Sequence, residues 1–591
     1  MRVAPQICGF VALFYLVACE GTIGDETPPG LAVPDVQETE DPAGPRDPRD
    51  DLPGEPTFVC EASAASEHES TRKLTRAELG AAYEAAFADV DPAFEGLAKG
   101  RGQVPAWSTA FAAYAPDARS DDAIESTHSD AQVAATVDMA FAAAERFSDQ
   151  SLWHAFDGTC LETSFGDEAC RQRFIEALGA RLYRRPLADE DLAPLQAEMA
   201  RGSDHADAAE RTVARMLLAP DFLFLNSPAE GPGERLLRDP HALANLLAFG
   251  LTGTAPDALL LAAARSDGLQ GPALEDEVRR LIESDAGRRH LTGFFHAWLH
   301  VERLEQLTHG WDSYVGINDV DAFADDILVE LDAFLAHVVW EERGDFDRLF
   351  TADVAFPPSA AVANVYGQAF AGPGVRVHAP NHPGIMTRVA LLASSGQTPN
   401  IILRGVRILD RFLDAKPPPP TLDGVEDRVE AVAALDPAEV PNHELFEAVT
   451  SAPACQGCHQ YINPPAYIFE SYNPVGAFGA EQEVIDQGRR VATHPLPPAQ
   501  TVRIVDLARD STVVLEGEFA SAAAMAAAIG ESMRAKEVFV RRFFRFLHSR
   551  DPSEHDGCAL YAGRQALEGG ETILQALIAV ASDDGVRWRR P

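Results

Sequence analysis

Positive charge is scarce in this chain. Lysine and arginine number 49 against 91 aspartates and glutamates, a net of −42, and so acidic a protein lacks the positive field that gathers phosphate groups. Nucleic acid and anionic lipid surfaces are thereby excluded as partners. Aromatic residues make up only 8%, yet the hydrophobic fraction of 46%, spread along most of the chain, is that of a globular protein and not of a disordered one. The motifs of common enzymes are missing too. No GxSxG, P-loop or GxGxxG occurs, which sets aside serine hydrolases, P-loop NTPases and dinucleotide enzymes of the usual kinds. His443-Glu444-Leu445-Phe446-Glu447 lacks the second histidine of a zinc protease. No internal repeat is present.

The apolar run Ile7 to Ala18 follows Arg2 and holds 12 residues, too few for a hydrocarbon core that needs about 20. Residues 1–18 therefore read as a signal peptide. The run ends in Leu16-Val17-Ala18-Cys19, which resembles a bacterial lipobox, and lipid attachment is expected at Cys19. With or without the lipid, the protein is expected to be exported. Between Cys19 and Pro56 stand eight prolines, eleven acidic residues and two arginines. That composition cannot bury enough surface to offset its ordering entropy, so residues 19–57 read as a solvated, self-repelling tether.

The length of 591 residues gives a prior of about four domains. Thr75-Arg76-Ala77-Glu78 is a capping-box pattern with Leu79, Tyr83 and Phe87 on one helical face. Pro186 is expected to open a helix after a break at Tyr183-Arg184-Arg185. Helices are predicted over Leu291 to Leu304, Phe323 to Val339 and Pro399 to Leu413, the last stopped by the prolines 417–420. The strand candidates are Glu483 to Ile485, Thr501 to Val505 and Val513 to Glu516, after which helices resume at Ser521 and over Lys536 to His548. The expected architecture is mainly α, with several consecutive helical domains and one small β element near 483–516. The boundaries read 58–232, 233–370, 371–516 and 517–591.

Setting aside Cys8 in the signal peptide and Cys19 leaves six of the eight cysteines. Cys160 and Cys170 are the natural disulfide pair in an oxidising compartment, with Cys60 and Cys558 left as a second. Cys455-Gln456-Gly457-Cys458-His459 is different. In CxxCH two thiols add across the haem vinyl groups and the histidine supplies the proximal iron ligand. In a chain of this composition chance gives roughly 0.003 occurrences, and the export signal sends this motif to the compartment where such maturation takes place. A covalent haem c on Cys455, Cys458 and His459 is the leading expectation. The alternative is a CxxC disulfide or redox dithiol with an incidental histidine; a zinc site lacks two further soft ligands at suitable spacing. For the sixth iron ligand Met386 and His494 rank ahead of His382, His443, Met525 and Met533.

The order of motifs resembles large exported planctomycete and myxobacterial proteins of the domain of unknown function 1592 and 1588 family. Leu74 to Leu79 is similar to that family's opening LTRxEY segment, and Ala180 to Leu187 to its RRAYRRPL element. Ala255 to Leu260 and Phe294 to Leu299 resemble xPDxxLL and FxxQWL. Pro383 to Thr387, Arg404-Gly405 and the proline run resemble RxGILT, RG and the polyproline of a domain that ends in its own CxxCH. The resemblance covers about residues 58–591 and implies a cytochrome c-like CxxCH domain in an exported, membrane-tethered protein. The chain departs where the family reads CHxxIDPxG and it reads His459 to Ala466 as HQYINPPA, where many members carry histidine and it has Val449, and where a cysteine near Val540 is absent. The function expected is electron transfer with an unknown redox or envelope partner. The runner-up is a non-enzymatic envelope protein that binds polysaccharide or protein, with Cys455 and Cys458 disulfide-bonded. A third reading is a haem enzyme with an open distal site.

Overall fold

In a computed structural model of the protein, Thr75 Oγ1 accepts the Glu78 N–H while Glu78 Oε2 accepts the Thr75 N–H at 2.9 Å. This capping box starts the helix Arg76–Phe87, whose Leu79, Tyr83 and Phe87 are buried as the spacing predicts. The structure describes Cys60 and, with interruptions of which 113–128 and 418–434 are the longest, residues 71–589. The expected signal peptide 1–18, the lipidation site Cys19 and the tether 19–57 lie outside the described residues, as do Pro418 to Pro420. Among the described residues the chain is mainly helical, and its strands form only small antiparallel sheets. Two compact units divide it. One takes Thr57–Glu302, Leu335–Phe346 and Phe539–Pro591, the other is built on Arg303–Phe334 and Asp347–Val538.

In the first unit Tyr83 is fully buried, with the Phe222 ring 5.0 Å and the Trp107 ring 6.2 Å from its own. Disulfides join Cys160 to Cys170 and Cys60 to Cys558. Pro186 does not open a helix. The helix Glu168–Leu182 ends at Tyr183, Arg184 turns the chain at φ +56°, and the next helix is Asp189–Met199. The start is set three residues after the proline because Asp191, gripped by Arg185 at 2.6 Å, accepts the Ala188 N–H at 2.7 Å. Arg184 is 4% exposed, and its guanidinium donates to the Asp221 carbonyl and to Asn245 Oδ1. The helix Asp285–Leu299 stops short of Leu304 because His300 takes φ +54° at its end. Phe294 and Trp298 on this helix pack on Phe539, 5.5 and 5.1 Å between ring centres.

The second unit is organised around two buried arginines. Arg388 pairs with Glu330 at 3.2 Å, with side chains 0% and 1% exposed, and donates to the Val354 and Gly384 carbonyls. Tyr366 donates its hydroxyl to Glu330 Oε2 at 2.6 Å. Arg404 lies on helix α1, Ile401–Leu413, and collects the carbonyls of Leu392, Phe469, Tyr472 and Asn473. Burial lowers its pKa to about 10. The next residue explains the Arg-Gly pair, since a Cβ on Gly405 would sit 2.5 Å from the Ile462 carbonyl oxygen. Only glycine lets α1 press against the helix that carries Ile462. That neighbour is α3, Pro453–Tyr467, preceded by α2, Asn442–Thr450. Two hairpins follow, β1 (Glu481–Asp486) with β2 (Arg489–Pro495) and β3 (Gln500–Val505) with β4 (Val513–Phe519). The three predicted strands lie inside β1, β3 and β4. The fourth, β2, reads RRVATHP and has too little apolar alternation to be seen. Helix α4, Ala522–Glu531, begins after its N-cap Ser521, as predicted.

Candidate functional site

Pro453 stands at the first position of α3, where its fixed φ and missing N–H cost nothing, and the Cys455 N–H closes on the Ala452 carbonyl at 2.8 Å. Cys455, Cys458 and His459 therefore occupy the first turns of one helix, and their i, i+3, i+4 spacing puts all three on one face. Both cysteines stand as thiols and are partly exposed. Gln456 and Gly457 between them are exposed, and a Cβ on Gly457 would meet nothing within 4 Å, so the outer side of this turn is open. Burial, reinforced by Cys455, pushes the Cys458 thiol above its ordinary pKa.

The ring of His459 is oriented by a chain of hydrogen bonds. Thr450 Oγ1 spends its single hydrogen on the Phe446 carbonyl at 2.8 Å, so it must accept from Asn463 Nδ2 at 2.9 Å. That fixes the amide, and Asn463 Oδ1 faces His459 Nδ1 at 3.0 Å. An amide oxygen only accepts, so Nδ1 carries the proton and Nε2 keeps its lone pair. Burial lowers the His459 pKa, with Asn463 opposing, and keeps the ring neutral as a ligand must be.

The same seam continues along α2 and α3. Tyr467 donates its hydroxyl to Glu447 Oε2 at 2.9 Å, and burial raises the phenol well above its ordinary range. His443 Nδ1 bonds Glu470 Oε2 at 3.0 Å, and this bond raises the His443 pKa. His459, Asn463 and Tyr467 recur every four residues on α3, and His443, Glu447 and Thr450 recur on α2. This helical periodicity of polar residues is readable in the sequence, beyond the CxxCH motif that singles out His459.

Met386 is 3% exposed in the turn Ile385–Thr387, which packs on α4. His494 lies on β2, and its Nε2 bonds the Pro437 carbonyl at 2.9 Å. His382 donates to the Gly476 carbonyl at 2.8 Å between the rings of Tyr366 and Tyr472. Among the described residues no group of three or more His, Cys, Asp or Glu is arranged to hold a metal ion, and no helix is long and apolar enough to cross a membrane.

The donor set fits a thioether-linked haem: two thiols on an open turn, and a neutral imidazole whose Nδ1–H is held from behind while Nε2 remains available. Three segments of the chain match known families. Residues 239–368 match PSD4, protein of unknown function (DUF1592), residues 382–482 match PSCyt3, protein of unknown function (DUF1588), and residues 170–226 match PSD5, protein of unknown function (DUF1595). These matches support the domain-of-unknown-function family that the motif order resembles. No curated protein and no solved structure matches the chain.

Proposed function

We propose that this chain is an exported electron-transfer lipoprotein, anchored to the cell envelope through Cys19, with one haem c bound covalently by Cys455 and Cys458 and ligated by His459. The observation that carries the reading is the relay Thr450–Asn463–His459, which leaves an imidazole lone pair on the same helix face as two thiols. The cytochrome-related name of the family matched by residues 382–482 supports it as well. Haem, when bound, supplies a one-electron iron couple. Cys455 and Cys458 would hold it through two thioethers, each S–H adding across one vinyl double bond, sulfur to one carbon and hydrogen to the other, with no oxidant needed. His459 would ligate the iron through Nε2, with its tautomer set by Asn463. The open turn at Gln456 and Gly457 admits the maturation machinery and leaves an edge for a redox partner in the envelope.

The deciding experiment is the visible spectrum of the mature protein, residues 19–591, exported alongside a c-type maturation system. A Soret band that survives denaturing extraction and vanishes in Cys458→Ala is the expected result. A colourless protein whose mass shows only disulfides overturns the reading and leaves a tethered envelope-binding protein. Carbon monoxide and cyanide then separate a closed carrier, with no spectral shift, from a haem enzyme with an open position.

A further inference from the structure

The 3-10 turn Ile468–Ser471 and the loop leading to β1 line a recess that opens to solvent. Glu470 and Gln482 line it and are 2% and 3% exposed. Each is anchored by one half of its side chain to the start of α2. Glu470 Oε2 is held by His443 Nδ1 at 3.0 Å, and Gln482 Oε1 accepts the Asn442 N–H at 3.0 Å. A backbone N–H only donates, so the amide is locked with its NH2 turned away from Asn442. The other halves, Glu470 Oε1 and Gln482 Nε2, are buried and have no hydrogen-bond partner among the described residues. The wall of the recess thus holds one obligate acceptor and one obligate donor, both unsatisfied.

This pairing selects the chemistry of an occupant. A cation satisfies the carboxylate alone. An anion satisfies the amide alone, and Glu481 and Glu483, which also line the recess, repel it. Hydroxyl groups serve both, since a hydroxyl can donate to Glu470 and can accept from Gln482. Beside them Phe478 lines the recess with 44% of its surface exposed, its ring 5.6 Å from that of Tyr472. A carboxylate, an amide and an open aromatic face together match the hydroxyl edge and the C–H face of a pyranose. We infer that this recess binds a single neutral sugar unit, with hydroxyls on Glu470 and Gln482 and a C–H face on Phe478. The inference stands on side chains that the haem reading does not use.

The test titrates the full mature protein with glucose, galactose, mannose, N-acetylglucosamine and glucuronate, read by saturation-transfer NMR. At least one neutral sugar is expected to saturate with a Kd on the order of 1 mM, the strength a ligand of a dozen heavy atoms reaches. Glucuronate is expected to bind more weakly than glucose. Phe478→Ala is expected to weaken the neutral sugar about tenfold with an unchanged melting temperature, because the ring faces solvent. Failure of every neutral sugar well above the millimolar range, glucuronate binding as tightly as glucose, or unchanged affinity in Phe478→Ala each overturns the assignment. So does a sugar-soaked crystal structure with only water between Glu470 and Gln482.

Discussion

Asn463 accepts the Nδ1 hydrogen of His459 at 3.0 Å from one helical turn away, and it can do so only because Thr450 fixes which end of the amide faces the ring. A neutral amide at this position gives the imidazole less electron density than a carboxylate would. Asn463→Asp keeps the shape, adds a negative charge behind the ligand and so favours the ferric state. The expected outcome is a lower midpoint potential in a spectroelectrochemical titration of the haem-loaded protein. An unchanged or raised potential sinks the proposed role of Asn463.

Arg388 and Glu330 form a pair with side chains 0% and 1% exposed. Arg388→Leu removes the cation and strands the Glu330 carboxylate, whose remaining partners are the Tyr366 hydroxyl and the Phe356 N–H. Breaking such a pair costs about 3–5 kcal/mol. The Phe334 ring, 4.5 Å from the guanidinium, also loses its cation. Urea denaturation should show the second unit unfolding at a clearly lower midpoint, and the double variant Arg388→Leu with Glu330→Leu should recover part of the loss. A single variant with wild-type stability would remove Arg388 from its central place in this core.

Local pattern carried the helices and most of the strands. Thr75 with Glu78, and Ser521 before α4, read as helix starts because the capping atoms lie within three residues of the backbone they serve. What escaped depends on partners distant in sequence. The helix after Pro186 begins at Asp189 because Arg185 holds Asp191, and β2 forms because β1 offers it a register from Glu481 opposite Pro495 to Asp486 opposite Arg489. The CxxCH motif was legible because its spacing is local, whereas the role of Asn463 needed Thr450, thirteen residues away across a helix junction. Arg404 gives no local signal of the four carbonyls it collects, the farthest 69 residues on.

Cysteine accounting offers a direct check on the covalent framework. Four of the six cysteines beyond Cys19 are bridged, Cys60 to Cys558 and Cys160 to Cys170, and Cys455 and Cys458 stand as thiols. Alkylation of the denatured, unreduced, haem-free protein should therefore add two labels, both mapping to the peptide of Cys455 and Cys458. Cys558→Ser should lower the stability of the first unit by about 2–4 kcal/mol. Labelling of Cys60 or Cys558 in the wild type contradicts the long-range pair.

Two histidines of the second unit, His382 buried and His443 half-buried, respond to pH with opposite signs. Burial lowers the His382 pKa to about 4, so between pH 6.5 and 4 the unfolded chain binds a proton that the folded one refuses. Stability is lost as pH falls through that window, by about 3 kcal/mol in all. His443 runs the other way: its bond to Glu470 raises the pKa above 6.5, so its stabilisation is fully present below pH 6.5 and lost as pH climbs through the raised value. His382→Phe keeps a ring between Tyr366 and Tyr472 and should flatten the acid limb of a plot of urea midpoint against pH. His443→Gln should lower the midpoint below pH 6.5 and leave it nearly unchanged on the alkaline side. Parallel pH profiles for the wild type and His382→Phe would show that His382 is not held neutral by its surroundings.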